Sequence, residues 1–131
     1  MDERLLKAAS EVRTNAYAPY SVYRVGAAIL GADGKVYTGC NVENVSYGLT
    51  MCAERSALAQ MVAFGCQEIQ EVVVVTADGG TPCGMCRQSL LEFAPVPSNI
   101  WVICANEEGE TESYRLSELC PAPFQSDIKK K

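Results

Sequence analysis

Cys52-Ala53-Glu54 and Pro82-Cys83-Gly84-Met85-Cys86 are the two segments of this 131-residue chain whose residue types and spacing point to chemistry. Cys83 and Cys86 are three residues apart, so both sulfurs project from one turn if the segment is helical. Tetrahedral zinc takes thiolate sulfurs at about 2.3 Å, and two from one turn plus a third from elsewhere meet that demand. Three protein ligands leave the fourth position open, which marks a catalytic zinc. Each segment opens a helical pattern, and the unpaired N–H groups and dipole of a helix N-terminus favour thiolate over thiol. Glu54, two residues past Cys52, is placed to accept a proton from water at the metal and hand it to a substrate atom. Three thiolates outweigh the charge of Zn²⁺, and a guanidinium bonded to two sulfurs offsets the excess. Arg55 is the natural compensator.

Seven cysteines and no histidine narrow the chemistry further. An odd count without an export signal argues against a disulfide framework and for reduced thiols. Without imidazole there is no serine–histidine or cysteine–histidine triad and no His-x-x-x-His metalloprotease site. A net charge of −5 opposes nucleic-acid binding, which needs cations to displace counterions. Lys129 to Lys131 form the only basic run and read as a solvated tail. The longest apolar stretch, Val72 to Val75, is far short of the roughly 20 residues that cross a bilayer. The amphipathic N-terminus lacks a secretory core. The chain reads as soluble and cytoplasmic, with a small neutral substrate and no membrane partner.

The elements that must carry these groups follow from periodicity. Asp2 to Ala16 reads as a helix, and Tyr23 to Ile29 alternates as a strand. Gly31-Ala32-Asp33-Gly34 is hairpin chemistry leading to a second strand, Val36 to Asn41. Cys52 to Phe64 is helical with Gly65 as its stop. Glu71 to Ala77 is a β-branched run suited to a strand buried on both faces. A second helix, Cys83 to Phe93, precedes a strand from Asn99 to Ala105 and a weaker one near Ser113. Ser117 is placed to cap a short last helix. This order predicts an α/β fold of three layers, α/β/α, around one mixed sheet of about five strands. Composition of 48% hydrophobic and 21% charged residues fits one globular domain, 1–131, with a flexible tail from about 126.

Each candidate has an ordinary alternative. Cys40, Cys66, Cys104 and Cys120 sit in or beside apolar segments and read as small core residues. Cys40 as a fourth ligand would close the site and make the zinc structural. Glu54 alone could be a first-turn helix acid, and Arg55 could pair with any surface carboxylate. Tyr20, Tyr23 and Tyr47 fit core or interface positions on general grounds. Phe124 could simply pin the C-terminus. A lone Cys-x-x-Cys also fits a thiol-redox or structural zinc module.

Four ordered motifs carry a resemblance. They are Ala16-Tyr17-Ala18-Pro19-Tyr20-Ser21, Gly39-Cys40-Asn41-Val42-Glu43-Asn44, Cys52-Ala53-Glu54-Arg55 and Pro82-Cys83-Gly84-Met85-Cys86-Arg87-Gln88. With them the chain resembles, to near Phe124, the small homotetrameric zinc-dependent cytidine deaminases, whose Cys₃ ligand set and non-ligand Glu are known for zinc deaminases as a class. The resemblance implies a cytidine deaminase-like fold and hydrolytic deamination of cytidine and 2′-deoxycytidine in pyrimidine salvage. It implies one Zn²⁺ per chain on Cys52, Cys83 and Cys86, with Glu54 moving protons from water to N3 and to the departing amine. By the same resemblance, peptide groups around Ala53, Thr81 and Cys83 are expected to hold the ring edges, and Asn41 and Glu43 to read the ribose. Tyr23 falls where family members usually carry Phe against the base. The resemblance further implies a homotetramer with shared active sites, in which Phe124 would cover the base of a neighbouring subunit and Tyr47 would line that junction. The rivals are a relative acting on another aminopyrimidine, an editing deaminase disfavoured by charge, and a zinc or redox module without hydrolysis.

Overall fold

The structure is a computed structural model that describes residues 1–126; the tail expected beyond Ser126 lies outside the described residues. Helix α1 (Glu3–Arg13) starts where the Asp2 carboxylate caps it, accepting the Arg4 N–H at 3.0 Å. Sequence periodicity extends it to Ala16, but it stops at Arg13. Thr14, Asn15 and Ala16 instead close tighter turns onto Glu11, Val12 and Arg13.

Strands β1 (Gly26–Gly31) and β2 (Val36–Cys40) form the antiparallel hairpin, and Gly34 takes a φ of +80° in its turn. The strand expected from Tyr23 begins only at Gly26. The Asn41 amide takes over the backbone there, accepting from Val25 N–H and donating to the Tyr23 carbonyl. Helix α2 (Ala53–Ala63) lies directly on β2, where a Cβ on Gly39 would meet the Ala53 carbonyl at 2.6 Å. Cys52 and Phe64 flank α2 as its caps, and Gly65 follows with a φ of +95°.

Strand β3 (Ile69–Val75) is the centre of the sheet, antiparallel to β1 and parallel to β4 (Trp101–Ala105). Helix α3 (Gly84–Leu91) makes the crossover between them. Strand β5 (Thr111–Arg115) pairs antiparallel with β4, giving the order β2-β1-β3-β4-β5. The five-stranded mixed sheet agrees with the sequence pattern. Asn99 belongs to a 3₁₀ turn, Pro97–Asn99, rather than to β4. Helix α4 (Leu116–Leu119) is capped by Arg115 and not by Ser117, which lies inside it; the Glu118 carboxylate accepts the Arg115 N–H.

The β-branched run of β3 divides between two cores. Val73 and Val75 face Leu5 and Ala9 of α1, whereas Val72 and Val74 face Ala57, Leu58, Met61 and Leu90 of α2 and α3. Burial on both faces explains why the run does not alternate with polar residues. It also places the N-terminal ends of α2 and α3 side by side at one end of the sheet. Among the described residues, no helix is long and apolar enough to cross a membrane.

Candidate metal centre and active site

Cys52 and Cys83 are the N-cap residues of α2 and α3, with extended backbone and sulfurs free of capping bonds. Cys86 lies on the first turn of α3 and is fully buried. Cys52 Sγ is 3.9 Å from Cys83 Sγ, and Cys83 Sγ is 3.6 Å from Cys86 Sγ. All three lie within 4.8 Å of one another. Tetrahedral zinc with bonds of about 2.3 Å holds its sulfurs about 3.8 Å apart, so the donor set fits that ion. All seven cysteines are free, and Cys40, Cys66, Cys104 and Cys120 stay outside the cluster. Cys66 and Cys104 are core residues, whereas Cys40 and Cys120 are half-buried.

The cluster's electrostatics favour a cation. Hydrogen bonding to Cys86 holds the Cys52 thiol down at about 5, and Arg55 and Cys83 add to this against the opposing effect of burial. Cys86 is pushed up, first by its bond to Cys52 and then by burial. One thiolate thus forms readily and a second resists forming beside it; a divalent ion removes that resistance. Arg55 Nη2 donates to the Thr50 carbonyl at 3.1 Å and reaches Cys52 Sγ at 3.6 Å. Its Nε is buried without a partner.

Glu54 stands on the first turn of α2, only 5% exposed. Burial pushes its carboxyl up to about 7, and the charge on Cys52 adds to the rise. Such a group holds or releases a proton near neutrality. It faces a cavity of about 430 Å³ that also meets Ala53, Cys52 and Cys83. The rest of the lining brings Tyr23, Asn41, Glu43 and Thr81 to the same space.

Asn41 and Glu43 are already at work in the protein. The Asn41 amide spans Val25 N–H at 2.9 Å and the Tyr23 carbonyl at 2.8 Å. The Glu43 carboxylate accepts Tyr20 N–H at 3.0 Å, Ser21 N–H at 3.1 Å and the Ser21 hydroxyl. Each keeps unused hydrogen-bonding capacity toward the cavity. Phe124 is 81% exposed and does not line this cavity; its backbone N–H and carbonyl pair with the Gln88 amide at 3.0 and 3.2 Å. Tyr47 is exposed and stands edge-on to Tyr20 at 5.8 Å. The sequence pattern missed Arg87, which pins the Thr81 hydroxyl, the Pro82 carbonyl and the Leu119 carbonyl. Its place beside Cys86, within the fourth of the motifs that carry the resemblance, was the available signal. It likewise missed Asp78, which accepts the Tyr23 hydroxyl at 2.7 Å and whose surroundings in sequence are those of any loop.

Three thiols at two helix N-termini, with a buried carboxyl beside them, form a centre suited to metal-assisted hydrolysis. Residues 1–103 match the profile of the cytidine and deoxycytidylate deaminase zinc-binding region. A cytidine deaminase of Halalkalibacterium halodurans is 40% identical over 127 residues, 95% of each chain. That of Mycobacterium tuberculosis is 49% identical over 121 residues, 91% of this chain and 86% of the relative. The crystal structure of cytidine deaminase from Burkholderia pseudomallei superposes with a TM-score of 0.87 at 41% identity, covering 95% of this chain and 99% of that one. The chain belongs to the cytidine and deoxycytidylate deaminase family.

Proposed function

We propose that the protein is a zinc-dependent cytidine deaminase that converts cytidine and 2′-deoxycytidine to uridine and 2′-deoxyuridine, releasing ammonia for pyrimidine salvage. The observation that carries this is the three-sulfur cluster of zinc-like spacing beside buried Glu54 in a cavity of nucleoside size. Cys52, Cys83 and Cys86 hold one ion per chain. Bound by these sulfurs, zinc would supply the acidity that makes water a nucleophile near neutral pH. Glu54 takes a proton from the attacking water and gives it to N3 of the pyrimidine. Once the C4–O bond has formed, it carries the proton of the added hydroxyl to the amine as the C4–N bond breaks and the C4 carbonyl forms. The carboxyl pushed up to about 7 suits both duties. Arg55, beside Cys52, offsets the thiolate charge.

Peptide groups of Ala53, Thr81 and Cys83 hold the ring edges, and the Tyr23 ring forms a wall. Asn41 and Glu43 use their remaining capacity on the sugar hydroxyls. The active unit is a homotetramer. The exposed Tyr47, Leu49, Met51 and Phe124, and an apolar groove along α2 lined by Leu58 and Val62, support burial against other copies. Phe124 covers a neighbour's base and Tyr47 lines the junction. Reduced thiols as ligands fit a cytoplasmic enzyme, and residues 1–131 act as one catalytic domain.

Loss of cytidine absorbance with ammonia release, alongside metal analysis, tests the reading; a nucleoside panel separates plain from modified substrates. Zinc-loaded protein that leaves cytidine intact overturns it. Mixing weakened Phe124→Ala chains with inactive Glu54→Gln chains restores some activity only if the aromatic acts in trans, and light scattering checks the assembly.

A further inference from the structure

Asp78 does not line the cavity, yet it ties two of the cavity's walls together. It lies in the loop between β3 and α3, exposed at the surface. Its Oδ1 accepts the Tyr23 hydroxyl at 2.7 Å, the Thr76 hydroxyl at 3.2 Å and the Gly80 N–H at 3.1 Å. The buried Thr76 Oγ1 in turn accepts the Gly79 and Gly80 N–H groups at 2.8 and 3.0 Å. The loop is anchored to the sheet by Thr76 N–H on the Ala105 carbonyl and by an Asp78–Asn106 bridge. Tyr23 comes from a separate segment, the one leading into β1, whose first residue Gly26 pairs with Val75 at the end of β3. The contact is close: a Cβ on Gly80 would sit 2.9 Å from the Tyr23 hydroxyl.

The Tyr23 segment needs such an anchor. Its neighbour Val22 has a φ of +59°, a left-handed conformation that costs a β-branched residue free energy and persists only where the surroundings enforce it. Glu43 holds the segment at Tyr20 and Ser21, and Asn41 holds its backbone at Tyr23 and Val25. The ring itself is fixed through its hydroxyl.

We propose that Tyr23 and Asp78 form a latch that sets the spacing between the Tyr23 wall and the Gly80–Thr81 wall of the nucleoside cavity. Asp78 is then a positioning residue that acts through Tyr23 and the Gly80 amide. The latch rests on the reading of this cavity as the nucleoside site. A phenylalanine at 23 keeps the ring but leaves it free of the loop. Substrate must then pay the cost of closing the two walls, which raises KM and spares the chemistry at Glu54.

The test uses the zinc-loaded full chain with Tyr23→Phe, Asp78→Ala and the double variant, each checked for zinc content. A hydrogen bond to a charged acceptor, weakened by solvent at this exposed loop, predicts a rise in the KM for cytidine of about 3- to 10-fold in each single variant. kcat stays within about twofold, and the double variant is no worse than the worse single. Asp78→Asn keeps an acceptor and recovers part of the loss. Amide exchange at Gly80 quickens in both single variants, a readout independent of turnover. Unchanged KM in both singles, or multiplying effects in the double, overturns the latch. So does Gly80 exchange in Tyr23→Phe as slow as in the parent chain. Failure of the parent chain to act on cytidine instead overturns the functional reading, and the exchange experiment still decides the latch.

Discussion

Glu54→Gln separates catalysis from stability, because the same burial that tunes this carboxyl also destabilises its charged form. Its pKa rises from 4.5 to about 7 on burial. For an acid raised in the folded state, the unfolded chain ionises first, so stability falls as pH rises from 4.5 and the penalty is complete above about 7. A shift of about 2.5 units at 1.36 kcal/mol each amounts to about 3 kcal/mol. Glutamine keeps the shape and has no charge to bury. Its amide costs about 1 kcal/mol to desolvate. In metal-free protein the substitution should therefore be near-neutral or slightly destabilising at pH 4.5 and stabilising by about 2 kcal/mol at pH 8. Urea unfolding of both chains at the two pH values measures this. Zinc-loaded Glu54→Gln should meanwhile lose activity by ~10²–10⁴-fold or more if the residue serves the two proton transfers proposed for it. A stability difference that does not change with pH would refute the buried-charge argument. Turnover within tenfold of the parent, at full zinc content, would refute the proton-transfer role.

Cys86→Ala should lose zinc and activity together, whereas Cys104→Ala, buried outside the cluster, should keep full zinc by metal analysis and lose only packing stability. Arg55→Gln removes the cation 3.6 Å from Cys52 Sγ and should lower kcat about 10-fold with a smaller change in KM; a pure KM effect would make Arg55 a substrate contact. Val22→Asn, which tolerates the φ of +59° better, should stabilise the chain by about 1 kcal/mol and raise Tm by roughly 3–5 °C in calorimetry.

Local chemistry made much of this protein legible before its tertiary structure. The β-branched run of β3 announces burial on two faces, and the Cys83–Cys86 spacing puts two sulfurs on one helical turn. Gly65 and the hairpin turn mark where elements stop, because short-range backbone sterics act without knowledge of the fold. The errors lie where distant groups override local preference. Tyr23 to Val25 alternates like a strand, but the Asn41 side chain takes the Val25 N–H and the Tyr23 carbonyl, leaving a single backbone bond from Asn41 N–H to the Val25 carbonyl. Ser117 has the chemistry of a cap, yet Glu118 turning back onto Arg115 starts α4 two residues earlier.

The residues of the candidate site divide in the same way. Residue types and the resemblance named Cys52, Glu54 and the Cys-x-x-Cys pair. Only the stacking of α2 and α3 on one face of the sheet brings Cys52, 31 residues away, to 3.9 Å from Cys83. Burial of Glu54 and the raised pKa that follows depend on the walls around it, which periodicity does not encode. Asp78 belongs wholly to the tertiary structure: its partners Tyr23 and Thr76, 53 residues apart in sequence, meet only when β1 and β3 pair. Sequence patterns record which side of an element is buried. The distance between two elements is set by sheet order and packing, so long-range contacts are decided there.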